Sequence, residues 1–109
     1  MKENVIKDKS FLFALRIIKL YKYLIKDKKE YTLLKQVLRS GTSIGANIEE
    51  AVGGCSKKDF ISKMAIAYKE ARETNYWIRL LEKSDYITVK EANLLLDDCE
   101  ELLRIIGAI

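Results

Sequence analysis

The stretch Arg39–Gly54, RSGTSIGANIEEAVGG, carries two glycines four residues apart inside an apolar pattern of helical period. Leu34, Val37, Gly41, Ile44, Ile48 and Ala51 recur at alternating steps of three and four, which places one face of a helix against a core. Glycine costs about 1 kcal/mol against alanine in a helix interior, so Gly41 and Gly45 need a compensating reason. Close approach of a neighbouring backbone is that reason, and it makes both glycines structural. A phosphate-cradling loop would set its glycines between a strand and a helix, and neither flank reads as a strand. Gly53-Gly54 then predicts a left-handed stop after Val52.

The same period extends in both directions. A first helix is predicted over about residues 9–26, where Phe11, Phe13, Ala14, Ile17, Ile18, Leu20, Tyr21, Leu24 and Ile25 cover about half the wheel. That arc is wider than the ~100° stripe of an ordinary surface helix, so it predicts one contact with the core and another with a second subunit; the alternative is a snugly wrapped monomer that uses the whole arc. Asp27 and Glu30 predict a capping box opening a second helix, about 28–52. Ser56 with Asp59 predicts a box for a third, about 57–83. There Phe60, Met64, Ala67, Ala71, Thr74, Ile78 and Leu81 form a heptad seam. Thr88 with Glu91 opens the fourth, about 89–106, on a stripe of Ala92, Leu95, Leu96, Cys99, Leu102, Leu103 and Ile106. Four helices with short joints predict one all-α domain spanning 1–109, an antiparallel up-down-up-down four-helix bundle.

Composition narrows the chemistry. The chain has 109 residues, no proline and no histidine, so the commonest general base and the commonest metal ligand are both missing. Cys55 and Cys99 form no CxxC pair, and no cofactor is expected. Cys99 lies on the apolar stripe as a small core residue, while Cys55 follows two glycines and is expected at a loop. The N-terminus carries no signal-peptide pattern, and no apolar run reaches the 18 residues of a spanning helix. A soluble, cytoplasmic protein without membrane contact is the expectation. Charge is polarised: residues 1–48 hold 11 Lys/Arg against 4 Asp/Glu, and residues 91–109 hold 1 against 5. Such polarity suits an anionic partner or complementary docking between subunits.

Three groups of residues are candidates for a role. Arg16, Lys19, Lys22 and Lys26 share one side of the first helix, with Lys28 and Lys29 at the following turn and Lys35 and Arg39 beyond. Clustered cations of this kind bind phosphates, and Tyr23 among them could stack on a base; the alternative is a solvated face. Ile66, Tyr76, Trp77 and Leu80 lie off the third helix's seam and form a candidate oligomer interface, against the alternative of a wide core helix. Asn47 and Glu50 sit in a polar cluster with Ser40, Thr42 and Ser43. One carboxylate without a histidine or second acid is poor material for acid–base work. A structural network with Arg72 or Tyr68 that fixes helix register is the better reading. Asp97, Asp98, Glu100 and Glu101 read as a solvated acidic face, since bundle di-metal sites use Glu-x-x-His pairs.

Ser43-Ile44-x-Ala46-Asn47-Ile48-x-Glu50, then Ser56-Lys57-Lys58-Asp59-Phe60 and Ala67-Tyr68-Lys69-Glu70-Ala71-Arg72-Glu73-Thr74, resembles the four-helix-bundle family of 23S rRNA intervening-sequence proteins, also called S23 ribosomal proteins. The resemblance spans essentially the whole chain and is sharpest from Leu38 to Leu81. It implies a bacterial protein and an antiparallel bundle assembled into a homopentamer. A related branch serves as the accessory protein of reverse transcriptases in diversity-generating retroelements. The resemblance further implies binding of RNA or ribonucleoprotein through basic surface, without catalysis and without a small-molecule substrate. The expectation is therefore a non-enzymatic oligomeric RNA-binding bundle, with RNA or a reverse transcriptase as possible partner. The alternative is a structural assembly or protein-binding adaptor without nucleic acid.

Overall fold

Ile17 lies against the bare backbone of Gly41, and that contact locks the first two helices together. A Cβ built on Gly41 would fall 2.9 Å from Ile17 Cγ1 and 3.0 Å from Cγ2. A Cβ on Gly45 would sit 3.4 Å from the Ser10 carbonyl oxygen. Both glycines are buried and face the neighbouring helix; close packing requires Gly41, whereas a Cβ on Gly45 would make only ordinary contact. The structure is a computed structural model that describes residues 2–54 and 56–109. Its helices are α1 (Lys2–Asp27), α2 (Thr32–Val52), α3 (Lys57–Lys83) and α4 (Val89–Gly107). Each packs against its neighbours around a square, α1 on α2, α2 on α3, α3 on α4 and α4 on α1, with no close approach across either diagonal. The α2–α3 seam is the most extensive and the α1–α4 seam the thinnest. The result is an all-α antiparallel four-helix bundle.

α1 begins at Lys2 rather than near residue 9. Ile6 is fully buried and carries the core stripe Ser10, Phe13, Ile17 and Leu24 back by one turn. Lys7 and Lys9, whose charge masked this turn, reach sideways to Glu49 of α2 (3.6 Å) and Glu101 of α4 (3.3 Å). At the other end the Asp27–Glu30 box does not form. The amides of Lys28 and Lys29 close on the Leu24 carbonyl (2.8 and 3.1 Å), and Lys29 turns the chain with φ 53°. α2 therefore starts at Thr32, and Glu30 serves it differently: its carboxylate accepts from the Leu33 and Leu34 amides (2.8 and 3.1 Å).

The left-handed stop expected at Gly53-Gly54 is also absent, because Gly53 has φ −86° and no glycine among the described residues has positive φ. Gly54 is needed for room instead. A Cβ there would lie 2.6 Å from Asp59 Oδ2 and 3.1 Å from the Ala51 carbonyl oxygen. Cys55, expected at a loop, lies outside the described residues. The remaining starts follow the sequence closely. Ser56 Oγ accepts from the Asp59 amide at 3.0 Å, one half of a box. Thr88 and Glu91 complete a full one at 3.1 and 2.8 Å.

Inside the bundle, Met64, Ala67, Ala71, Thr74, Ile78 and Leu81 are buried on α3, as the heptad requires. Two polar groups tie the seams. The Thr74 hydroxyl donates to the Glu70 carbonyl (2.7 Å), which leaves the buried Ser40 hydroxyl of α2 to donate to Thr74 Oγ1 at 2.8 Å. The Cys99 thiol of α4 donates to the Ala71 carbonyl of α3 at 3.1 Å. Burial, with the neighbouring Glu100 charge adding, pushes that thiol from an ordinary 9.0 up to about 12.

Gly41→Ala forces the methyl into Ile17, whose branched side chain has no free rotamer in a packed helix. It should lower stability by about 1–3 kcal/mol in urea unfolding despite its better helix propensity, whereas Gly45→Ala should be nearly neutral. The folded state holds the Cys99 proton above the pH at which the unfolded chain releases it, so the contribution of Cys99 to stability should be level below pH ~9 and fall as pH rises toward 12. Cys99→Ala removes that contribution. The difference in Tm between the two proteins should therefore change only above pH ~9.

Candidate functional site

Ion pairs sort the charges of this molecule into tethered and free. Arg16 of α1 is held by Asp98 of α4, beside the Lys9–Glu101 pair. Two cations of the basic first helix are thus paired with the acidic last one within one chain. Arg39 of α2 forks to Glu70 (3.1 Å) and Glu73 of α3. Lys28 lies 3.9 Å from its neighbour Asp27. Of the eight expected phosphate-binding cations, Lys19, Lys22, Lys26, Lys29 and Lys35 are exposed, with no ion-pair partner among the described residues. Lys19, Lys22 and Lys26 stand on successive turns of α1 with the exposed Tyr23 between them. Arg16 and Arg39 are interhelical ties rather than members of that group.

The outer face of α1 changes character along its length. Beyond the lysines, toward the N-terminus, it presents Phe11 (60% exposed), Leu12 (56%) and Leu15. Three large apolar side chains in adjacent positions on one solvent face exceed the scattered exposure usual in monomers. Over the thin α1–α4 seam runs a groove of about 500 Å³. Leu20, Tyr23, Leu94 and Leu95 form its apolar walls, and Arg16, Lys19, Glu91 and Asp98 its charged rim.

The expected interface on α3 is divided. Ile66 and Tyr76 are exposed, but Trp77 packs partly onto the core and Leu80 is half-buried. Trp77 Nε1 donates to Glu73 at 2.9 Å, so the indole belongs to the same network as Arg39. Tyr76 meets Trp77 edge-on, with centroids 5.2 Å apart at 65°.

The polar cluster of α2 resolves into self-contained bonds. Thr42 donates to Leu38 O (2.7 Å), Ser43 to Arg39 O (2.6 Å) and Asn47 to Ser43 O (2.8 Å). Asn47 does not reach Arg72 or Tyr68; its short amide finds the nearest carbonyl of its own helix. Glu50 pairs with Lys63 of α3 at 3.2 Å. Register between α2 and α3 rests instead on the buried Ser40–Thr74 pair. In the acidic set, Asp98 and Glu101 are used by α1, and Asp97 and Glu100 remain in solvent.

A second basic row escaped the sequence reading. Lys58, Ser62, Ala65, Lys69, Arg72, Tyr76, Arg79 and Lys83 repeat at 4-3-4-3-4-3-4 along the outer side of α3, and every one is exposed. Residues 49–90 hold eight basic and seven acidic residues, so segment charge conceals the row. A wheel of α3 would have revealed it.

The chain matches the family described as 23S rRNA-intervening sequence protein over residues 2–108. It is similar to a protein of unknown function from the S23 ribosomal protein family of Bacteroides thetaiotaomicron, whose crystal structure superposes with a TM-score of 0.97. The two are 50% identical over 99% of this chain and 96% of the other. No curated protein matches. A full-length family match and a neighbour of this identity and coverage agree with the bundle geometry: the chain belongs to the 23S rRNA-intervening sequence protein family.

Proposed function

We propose that this protein is a non-enzymatic, self-assembling bundle of the bacterial cytoplasm that binds RNA or ribonucleoprotein through its basic surface. The observation that carries the reading is the row Lys19, Lys22 and Lys26, exposed and without carboxylate partners beside Tyr23. Interhelical ion pairs occupy many of the chain's acids, including Asp98, Glu101, Glu70 and Glu73. The cations left over offer a field with little local opposition, and phosphate binding follows from clustered cations by counterion release. The family's link to rRNA-intervening sequences points the same way. Catalysis has little support, since the chain has no histidine and the Cys99 thiol is buried and held protonated.

Assembly is supported by the apolar row Phe11, Leu12 and Leu15, adjacent to the lysines on the same face. The homopentamer implied by the family resemblance would repeat the basic surface around a ring and strengthen binding by multivalency. That same apolar row favours the second reading, a structural adaptor with no nucleic-acid ligand. A labelled single-stranded RNA titrated with the full chain at increasing salt separates the two. The expected result is a linear fall of log affinity with log salt. Lys19→Gln/Lys22→Gln/Lys26→Gln should flatten that slope by about 2, at ~0.7 per phosphate contact. No binding at low salt would decide for the adaptor. Leu12→Glu should lower the mass seen by light scattering while leaving helicity intact, and an unchanged mass would remove the α1 row from the assembly surface.

A further inference from the structure

The outer row of α3 has the composition of a strand-binding track. Lys69, Arg72, Arg79 and Lys83 are exposed at helical steps of three, four and seven, with Tyr76 in their midst. From Lys69 to Lys83 the row runs about 21 Å along the helix, at 1.5 Å per residue. No acidic residue and no large aliphatic side chain interrupts it. The acids of α3 that would neutralise it are turned aside. Glu70 and Glu73 both point to Arg39, and Glu73 also to Trp77. The single guanidinium thus offsets one of the two charges, and the other is held toward α2, away from the row. Among the described residues only Lys83 of this row has an acidic contact, 3.7 Å from its sequence neighbour Glu82.

Tyr76 is held in place. Its ring rests edge-on against Trp77, and Arg79 lies over it at 5.8 Å. Arg79 is itself fixed, its Nε donating to Asn75 Oδ1 at 2.9 Å. An exposed aromatic ring braced in this way loses little freedom when a base stacks on it. Guanidinium groups on either side can take phosphate oxygens in pairs.

We propose that the Lys69–Arg72–Tyr76–Arg79–Lys83 face of α3 is a second nucleic-acid contact, which takes a single RNA strand with phosphates on the cations and a base on Tyr76. The inference rests on the RNA-binding reading above and adds a surface to it. α3 stands diagonally across the bundle from α1 and makes no close approach to it. A ring uses two different patches on each copy; the apolar face of α1 supplies one, and this row stays open when the second lies off the outer side of α3. RNA is favoured over a protein partner because the Lys69–Lys83 stretch offers cations and one stacking ring, while the exposed Ile61 and the apolar groove it lines with Ala65 lie beyond its N-terminal end.

The test uses the full chain, a labelled oligouridylate and a salt titration. Arg72→Gln/Arg79→Gln should weaken binding at low salt and flatten the salt slope by about 1.4, at ~0.7 per cation. Tyr76→Ala should weaken binding about tenfold with the slope unchanged, as expected for lost stacking. If the double variant keeps the affinity and slope of the wild type while the α1 lysine variant loses them, the α3 track is wrong and RNA binding through α1 stands. If the wild type fails to bind at low salt, both readings fall. If the double variant instead changes the mass of the assembly, the row is a contact between copies and the inference is overturned.

Discussion

The approach of Ile17 to the backbone of α2 at Gly41 sets the rotation of α1 about its own axis, and most of the molecule's surface follows from it. With Ile17 fixed inward, the helical step turns Arg16 and Lys9 toward α4, where Asp98 and Glu101 receive them. Lys7, on the other flank, reaches Glu49 of α2. Phe11, Leu12, Leu15, Lys19, Lys22 and Lys26 then have only solvent to face. A methyl at position 41 would disturb all of these placements at once. Glycine's propensity cost of about 1 kcal/mol is small beside the burial of Ile17, for which complete removal from water contributes about 1.5–3 kcal/mol.

The second organising feature is the direction of the acidic side chains. Glu49, Glu50, Glu70, Glu73, Asp98 and Glu101 each bridge to a neighbouring helix. Pairs this exposed add little stability individually, typically under about 1 kcal/mol. Their effect on the surface potential is larger, because a carboxylate held across a seam is offset by its own partner and stands farther from the cations on the outer faces. A net charge of only +4 thereby resolves into basic rows on two opposite helices. Binding that depends on such rows follows local field, not net charge.

Much of the fold was legible in the sequence because period and caps are local. The α3 heptad, the Thr88–Glu91 box and the small residues of α2 specify their elements with little help from elsewhere. The misread points depend on tertiary context. The first turns of α1 look polar until Lys7 and Lys9 find partners on two other helices. Glu30 caps α2 from a position that the Asp27 pattern disguised, and Gly54 is required by the nearness of the Ala51 and Glu50 carbonyls rather than by its own dihedral angle. The candidate site was harder to read for the same reason. Whether Arg16 and Arg39 are free cations is decided by carboxylates 82 and 31 residues away. The α3 row was local and visible in principle, but a count of charges by segment averages a helix's two sides together.

The central claim is that ion pairing across the seams leaves α1 and α3 as the basic, RNA-facing sides. Ultraviolet crosslinking of the assembled protein to a single-stranded RNA, with adducts located by mass spectrometry, tests it most directly. The account predicts adducts at Tyr23 and Tyr76, both suppressed at high salt. Adducts confined to α4, or an adduct pattern indifferent to salt, would contradict it.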